Sequence, residues 1–593
     1  MEKRTLLAVV LSVIVISGSY FVQSWLFPPT ATPKPAQTTS QTIEQPKADV
    51  PAAGSDQPSA APIQAANVED AAVAEERLVV ETDLVRVELT NRGGDVVSYK
   101  LKKHQDKGDF VEMVLPAKDE SHAFSLAFGG VGAARVEDLF HVRRISDTAV
   151  EFYRDFAVPA PGSGSPTSFR LTKRYEFKPG EYLFELSVTV DGGYNVAPLD
   201  FAGSAYTLEF GPQIGPKFTK LTQNYEYRRY YSYANGKRKT EKVKANSLTT
   251  ITSRVSWVSI AGKYFTLIAV PDATQYEIGF SSQPVPGISE TSRMFLTRPA
   301  IKNSKTTDVF RFYLGPKTQK ALAVYDTPED NAYKLRDMNL GAAVDTSGIL
   351  GPLEAVMKWF MMMFYKVIPN YGIAIILLTI LVKLVMFPLT KKGSESTLRM
   401  QALAPKIKEI QDKYKDNPTK MNAEMAELYK REGYNPMSGC LPLLIQIPIF
   451  FAMYNLFNNH FDLRGAMFIP GWIPDLSIPE TIWNFSPVRI PILGWSDLRL
   501  LPFVYLFSQL LYGKVTQTPD QQGNAQMKMM LYVMPIMFFF ILYDVPAGLL
   551  IYWIMSNVLT LVQQVAINKY LAQKKAHMAA TAEPVIAPRR KKK

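Results

Sequence analysis

Between residues 351 and 570 the chain is built from apolar runs rich in Leu, Ile, Met, Phe and Pro. A backbone in such runs has few places to go. In a bilayer every N–H and C=O must be satisfied within the segment, so the runs fold as spanning helices. The clearest is 372–389, GIAIILLTILVKLVMFPL, which carries one lysine, Lys383. A charge at the centre of a spanning helix costs about 2.5–3.5 kcal/mol, and such a residue usually faces a bundle interior or a water-filled cavity. Snorkelling is the other reading, because about 10 Å of helix separates Lys383 from Thr390. The sequence leaves both open.

Four further runs follow, over 439–456, 500–515, 529–542 and 549–567. Those over 500–515 and 529–542 are short against the ~20 residues of a full span, which predicts local thinning of the bilayer. Residues 543–548 join the last two runs in a tight turn. At the N-terminus, 6–27 is long enough to cross, and Pro28-Pro29 does not resemble a cleavage site. Residues 1–27 therefore read as an uncleaved signal anchor, with Lys3 and Arg4 holding the N-terminus in the cytoplasm. Ten Lys/Arg fall in 391–437 and eight from Lys569 onward, against only Arg464 and Arg489 in 459–498. Six spans then alternate and return the C-terminus to the cytoplasm, with a basic tail over 571–593. The large polar part of the chain lies on the other side, which in a bacterium is the periplasm.

That polar part begins with 28–77, rich in Pro, Ala, Gln, Thr and Ser, a flexible linker by composition. From Leu78 apolar residues alternate, first on either side of Asn91-Arg92-Gly93-Gly94, a hairpin signature. Further strands are expected over 149–156, 168–177, 182–190, 206–210, 255–270, 275–280 and 307–314. Many short strands between Gly/Pro turns predict a β-sandwich domain over 78–350, with a helical C-terminal part from Lys317. Residues 351–370 read as an amphipathic helix lying on the membrane surface, or alternatively as a buried helix of the soluble domain. The basic run 225–244 reads as an exposed hairpin or a partner surface. A single cysteine, Cys440, excludes a disulfide framework. The net charge of +12 is concentrated in particular loops, so it reports topology and not nucleic-acid recognition.

Within the core region of 371–570, the segment 391–437 holds two amphipathic helices separated by Asp416-Asn417-Pro418-Thr419. Lys406, Lys408, Lys413 and Lys415 lie on the outside of this helical hairpin. They read as a solvated face or as a docking arm. Polar residues recur in the spans: Thr379, Gln446, Ser508, Gln509, Ser556, Asn557, Gln563 and Gln564. Each could bond a neighbouring helix, a contact worth only about 0.6 kcal/mol on average. Together with Lys383 they could instead line a hydrophilic groove, open to cytoplasm and lipid, that lowers the cost of moving a short polar segment partway across. Phe450, Phe507 and Met534 would then guide an apolar segment into lipid. The five histidines have no ligand spacing, and no phosphate loop is present, so neither a metal, a cofactor nor catalytic turnover is expected. A transporter would require inverted repeats, which the sequence lacks. A saccharide enzyme would require paired carboxylates in a distinguishing context, which is also missing.

Four motifs carry a family resemblance: LVKLVMFPLT (381–390), MQALAPKIKEIQDKY (400–414), SGCLPLLIQIPIFFAMY (438–454) and VPAGLLIYWIMSNVLTLVQQ (545–564). Residues 351–570 resemble the core of the YidC-type membrane protein insertases, the YidC/Oxa family. The extra first span and the exported domain resemble the Gram-negative form, whose periplasmic domain is a β-supersandwich. The resemblance implies six transmembrane helices in all, five of them forming an insertase core with a hydrophilic groove. It implies insertion and folding of nascent inner-membrane proteins, alone or with the Sec translocon and its accessory subunits. The ribosome and signal-recognition targeting components would dock on the cytoplasmic side, and membrane lipids would surround the core. The groove cation of the best-known bacterial members is arginine, and the matching position here is Lys383. The outer segment 461–500 is longer than usual for the family.

Overall fold

The computed structural model describes residues 64–65, 73–106, 108–115, 122–158, 167–193, 199–218, 226–285, 288–345, 348–433, 441–490, 494–516 and 529–581. The expected anchor over 1–27, most of the linker over 28–77, Cys440 and the tail beyond Thr581 lie outside the described residues. The stretch Pro405–Arg431 belongs to a compact unit separate from Ile63–Ala404 and Glu432–Lys593.

The β-domain follows from the two-residue period of half-buried strands. Leu183–Asp191, LFELSVTVD, buries Phe184, Leu186, Val188 and Val190 on one face. It pairs antiparallel with Thr167–Phe177 and with Lys305–Pro316, near the middle of a ten-stranded sheet. A nine-stranded sheet is ordered Ser247–Ile251, Glu277–Val285, Ile288–Ile301, Leu199–Phe210, Ala123–Phe128, Asp95–Asp106, Val85–Thr90 and Arg77–Glu81, with Asp109–Glu112 beside Asp95–Asp106. The two sheets meet through aromatic rings. Phe124 of the second lies 5.3 Å from Phe184 and 4.5 Å from Phe312 of the first, centroid to centroid. The turn at Asn91–Gly94 joins Thr90 to its partner Asp95, with Gly93 and Gly94 at φ 67° and 62°. A Cβ on Gly93 would fall 2.6 Å from the Val136 carbonyl oxygen, so only glycine fits there.

Three expectations change. Residues 255–270 are not one strand but two, Trp257–Ala261 and Phe265–Val270, because Gly262 turns the chain and donates its N–H to the Phe265 carbonyl at 2.8 Å. The helix expected from Lys317 is only Gln319–Leu322, capped by Thr318, followed by 3-10 turns at Ala323–Asp326 and Leu340–Ala343. Asn331 replaces helical bonds by donating to the carbonyls of Val324, Thr327 and Leu335 at 3.1, 2.9 and 2.9 Å. The basic run does form a hairpin, Arg229–Ala234 with Lys237–Glu241, but Tyr230, Tyr231 and Tyr233 are buried. Tyr231 and Tyr227 donate to Asp345 at 2.7 and 2.8 Å, and Lys317 and Arg229 pair with the same carboxylate at 3.1 and 2.9 Å. Burial opposes ionisation of Asp345, but the Lys317 and Arg229 charges and the two phenols hold its pKa below the usual carboxylate range. This knot ties the end of the β-domain down just before the helices begin.

The helices are α1 (Gly351–Val367), α2 (Tyr371–Lys413), α3 (Pro418–Arg431), α4 (Leu441–Asn459), α5 (Leu501–Thr516), α6 (Met534–Leu542, after a π-helical turn at Met529–Val533) and α7 (Ala547–Thr581). α1 buries Met357 and Met361 and exposes Val356, Trp359 and Val367. The expected break between a span ending at 389 and a separate arm from 391 is absent, since α2 is one helix of 43 residues. Beyond Gly393-Ser394 its sequence is mostly Leu, Met, Ala, Lys, Glu and Gln, which favour helix. α7 likewise runs past 570 through Ala-, Gln- and Lys-rich residues. Among the described residues two stretches are long and apolar enough to cross a bilayer, Tyr371–Gly393 with 23 residues and Ala547–Ile567 with 21. Ile375 and Leu378 of α2, Met453 and Leu456 of α4, Leu501 of α5 and Leu550 and Tyr552 of α7 share one buried cluster with Met361. The loop after α4 packs onto this bundle so closely that a Cβ on Gly372 would overlap the Phe468 ring, 2.0 Å away.

Candidate functional site

α7 is the element on which polar groups of the other helices converge. Lys383 on α2 donates from Nζ to Thr560 Oγ1 on α7 at 2.9 Å, and Gln563 Nε2 donates back to the Lys383 carbonyl at 3.1 Å. The Thr560 hydroxyl donates to the Ser556 carbonyl one turn earlier at 2.7 Å, which leaves its oxygen lone pairs for the ammonium. Asn557 Nδ2 donates to Ser508 Oγ on α5 at 3.1 Å, and Ser508 passes its own proton to the Tyr505 carbonyl at 2.7 Å. The side chain of Gln446 on α4 lies close to the Tyr552 hydroxyl on α7.

Magnitudes separate these contacts. An interhelical bond such as Asn557–Ser508 holds two helices together for about 0.6 kcal/mol. Thr379 is fully buried and donates to the Ile375 carbonyl of its own helix at 2.7 Å, so it faces no path. Lys383 is different. A hydrogen bond to a charged group is worth about 1.5–3 kcal/mol, which offsets most of the ~2.5–3.5 kcal/mol of placing the charge at membrane depth. An ammonium has three donors, and Thr560 uses one. The other two can meet water or a carboxylate. Ser556 and Gln509 are half-buried.

The three apolar candidates separate. Phe450 is stacked on Trp553 of α7, centroids 5.3 Å apart and rings 5° from parallel, and belongs to the packed bundle. Phe507 is 69% exposed and Met534 37% exposed. Phe507 continues a stripe with Phe503 and Leu511, also exposed, at four-residue steps on α5. An apolar outward face therefore exists on α5 and α6, and Phe450 is not part of it.

In the separate helical arm, Lys406, Lys408, Lys413 and Lys415 are all exposed. Asn417 begins α3, accepting the Lys420 N–H on Oδ1 at 3.1 Å and the Met421 N–H on its carbonyl at 3.0 Å.

Thr560, Tyr552 and Trp553 were not singled out by the sequence. Thr560 had a detectable signal, since Ser556, Thr560 and Gln563 fall on one helical face at steps of four and three. Tyr552 and Trp553 had none, because aromatics in an apolar run read as packing.

Residues 363–575 match the family described as 60Kd inner membrane protein, and residues 77–347 match the one described as YidC periplasmic domain. The chain is 46% identical over 581 residues to the membrane protein insertase YidC of Treponema denticola, across 96% of this chain and 99% of that protein. It is 38% identical over 620 residues to the protein of the same name from Treponema pallidum, again across 96% and 99%. Among solved structures it is similar to an active YidC insertase with its first transmembrane domain resolved, at 17% identity and a TM-score of 0.34, covering 85% of this chain and 94% of that one.

Proposed function

The chain belongs to the YidC family of membrane protein insertases, inner-membrane proteins with a β-rich periplasmic domain, and from that premise we propose how it inserts nascent membrane proteins. Six helices cross the membrane, with both termini cytoplasmic. Lys383, Gln446, Gln509, Ser508, Ser556 and Asn557, joined by Thr560, line a hydrophilic groove among the spans. Thr379 supports the wall from behind. The observation that carries this reading is the Lys383–Thr560 contact at 2.9 Å, which directs the ammonium at a neighbouring helix and away from the headgroups.

A short polar segment of a substrate enters the groove and exchanges bulk water for these fixed polar groups, so its desolvation cost falls. Acidic residues of the segment are drawn by Lys383, which contributes a point charge where a guanidinium would contribute a planar fork. The apolar segment that follows slides along Phe507 and Met534 into lipid, and the short α6 thins the bilayer beside it. The arm carrying Lys406, Lys408, Lys413 and Lys415 receives ribosomes and signal-recognition targeting components, and the Sec translocon shares part of the substrate load.

The test uses purified protein in liposomes and a small membrane protein with a short acidic exported segment. Protease-protected insertion is scored for wild type, Lys383→Arg and Lys383→Ala. Activity retained in Arg and reduced about tenfold or more in Ala is expected for a lost buried charge contact. Full activity in Lys383→Ala would remove the groove cation from the mechanism.

A further inference from the structure

The segment between α4 and α5 is fastened at both ends. At its start the Phe461 ring sits in a socket of the β-domain, edge-on to His104, Phe265 and Tyr264, with centroids at 5.3, 5.5 and 6.0 Å. Arg464 donates from Nη1 to the Gln105 carbonyl at 2.7 Å, approaches Asp106 at 3.4 Å, and lies over the Phe265 ring at 5.3 Å. On the last turn of α4, Asn458 accepts from Lys263 Nζ at 3.3 Å. At the far end the buried Arg499 is ion-paired with Asp544 and donates to the Tyr543 carbonyl at 2.7 Å, both in the turn between α6 and α7. Trp495 stacks on Tyr543 at 3.5 Å. Between these ends the backbone is bonded to the start of α7, where Ala547 and Gly548 donate to the carbonyls of Ile478 and Leu476 at 2.8 and 2.9 Å. Glu480 accepts the Leu501 N–H at the start of α5.

We infer that residues 460–490 and 494–500 act as a clasp, with Phe461 and Arg464 as positioning residues that set the β-domain against the helices and transmit its position to the α6–α7 turn. A half-buried aromatic ring packed edge-on against three aromatic neighbours, flanked by an arginine with a fixed carbonyl partner, is the kind of anchor that carries interface energy. The two ends are joined by hydrogen-bonded and packed residues, which is the physical route a coupling needs. The segment touches the β-domain, the start of α5 and the α6–α7 turn together. The β-domain thus acts in insertion by holding the end of the helical core nearest to it.

The experiment uses the full chain in liposomes, with Cys440→Ser and spin labels at exposed Ile145 in the β-domain and exposed Val562 on α7. The distance distribution and protease-protected insertion are measured for wild type, Phe461→Ala, Arg464→Asp and the exchanged pair Arg464→Asp with Asp106→Arg. The ratio of docked to undocked protein is expected to fall about tenfold in each single variant, the change for losing one interface anchor. Insertion is expected to fall with it, and the exchanged pair to recover part of both, the share carried by the Arg464–Asp106 ion pair, since an aspartate at 464 cannot donate to the Gln105 carbonyl; that recovery excludes a folding failure of the Arg464 variant. A distribution as narrow as wild type in both single variants overturns the clasp. A broadened distribution with undiminished insertion overturns the positioning role. Neither outcome depends on Lys383, so the groove mechanism stands or falls separately.

Discussion

The His104 imidazole is wedged between Phe265 and Phe461 and bonded to the Tyr182 hydroxyl at 3.2 Å. Burial, and then the nearby Arg464 charge, push its pKa down from 6.5 to about 4 against the opposing pull of Asp462. The sign follows from proton counting. Below about pH 6.5 the unfolded chain takes up a proton that the folded site refuses, so stability rises with pH. The contribution is complete above pH ~6.5 and is lost as pH falls toward about 4, by an order of 1–2 kcal/mol after allowing for partial exposure. Thermal unfolding of the full chain between pH 7 and 4.5 is therefore expected to show a steeper loss for wild type than for His104→Phe. Equal slopes would remove His104 from the acid response. Nothing in the sequence around His104 announces this environment, because the residues that create it come from Tyr182, Phe265, Phe461 and Arg464. Lys383 is the opposite case. Its charge within an apolar run was visible at once, but its partner Thr560 lies 177 residues away.

At the scale of elements, local chemistry was readable wherever it was decided locally. Asn417-Pro418 marks the start of α3 because an Asn side chain satisfies a first-turn N–H and Pro at the first helical position needs none. Asn417→Ala is expected to cost the helix about 1 kcal/mol, read as roughly fivefold faster hydrogen exchange of the Met421–Leu428 amides. Unchanged protection would mean that packing and not the cap holds α3. The missed elements failed for equally physical reasons. The 255–270 run is apolar on both sides of Gly262, so periodicity had no place to show the turn. The stretch after Leu322 has helix-forming residues, but the Asn331 side chain ties a local loop through Val324, Thr327 and Leu335, and left-handed backbone at Lys334, Asp337 and Asn339 cannot continue a helix. Composition says that the Phe450 ring is apolar without saying which neighbour it meets, here Trp553.

For the molecule as a whole, the proposed topology makes a separable prediction. In a Cys440→Ser background, an impermeant maleimide added to intact spheroplasts is expected to label Arg144→Cys in the β-domain. It should label Lys413→Cys on the helical arm only after permeabilisation. Labelling of Lys413→Cys in intact spheroplasts would reverse the arrangement of the spans. The sequence by itself determined that this chain has a polar strand-forming part and an apolar helical part, and to which family it is similar. Those properties are sums over short windows of hydropathy, period and turn chemistry, and each window carries its own information. Only the tertiary structure decided that α7 meets polar groups of α2 and α5, that Phe450 stacks on Trp553, and that Arg464 reaches Gln105 across 359 residues. Such pairings depend on which surfaces are brought within a few ångströms by packing, and a hydrogen bond or ring contact decays over that distance, so no local window records them.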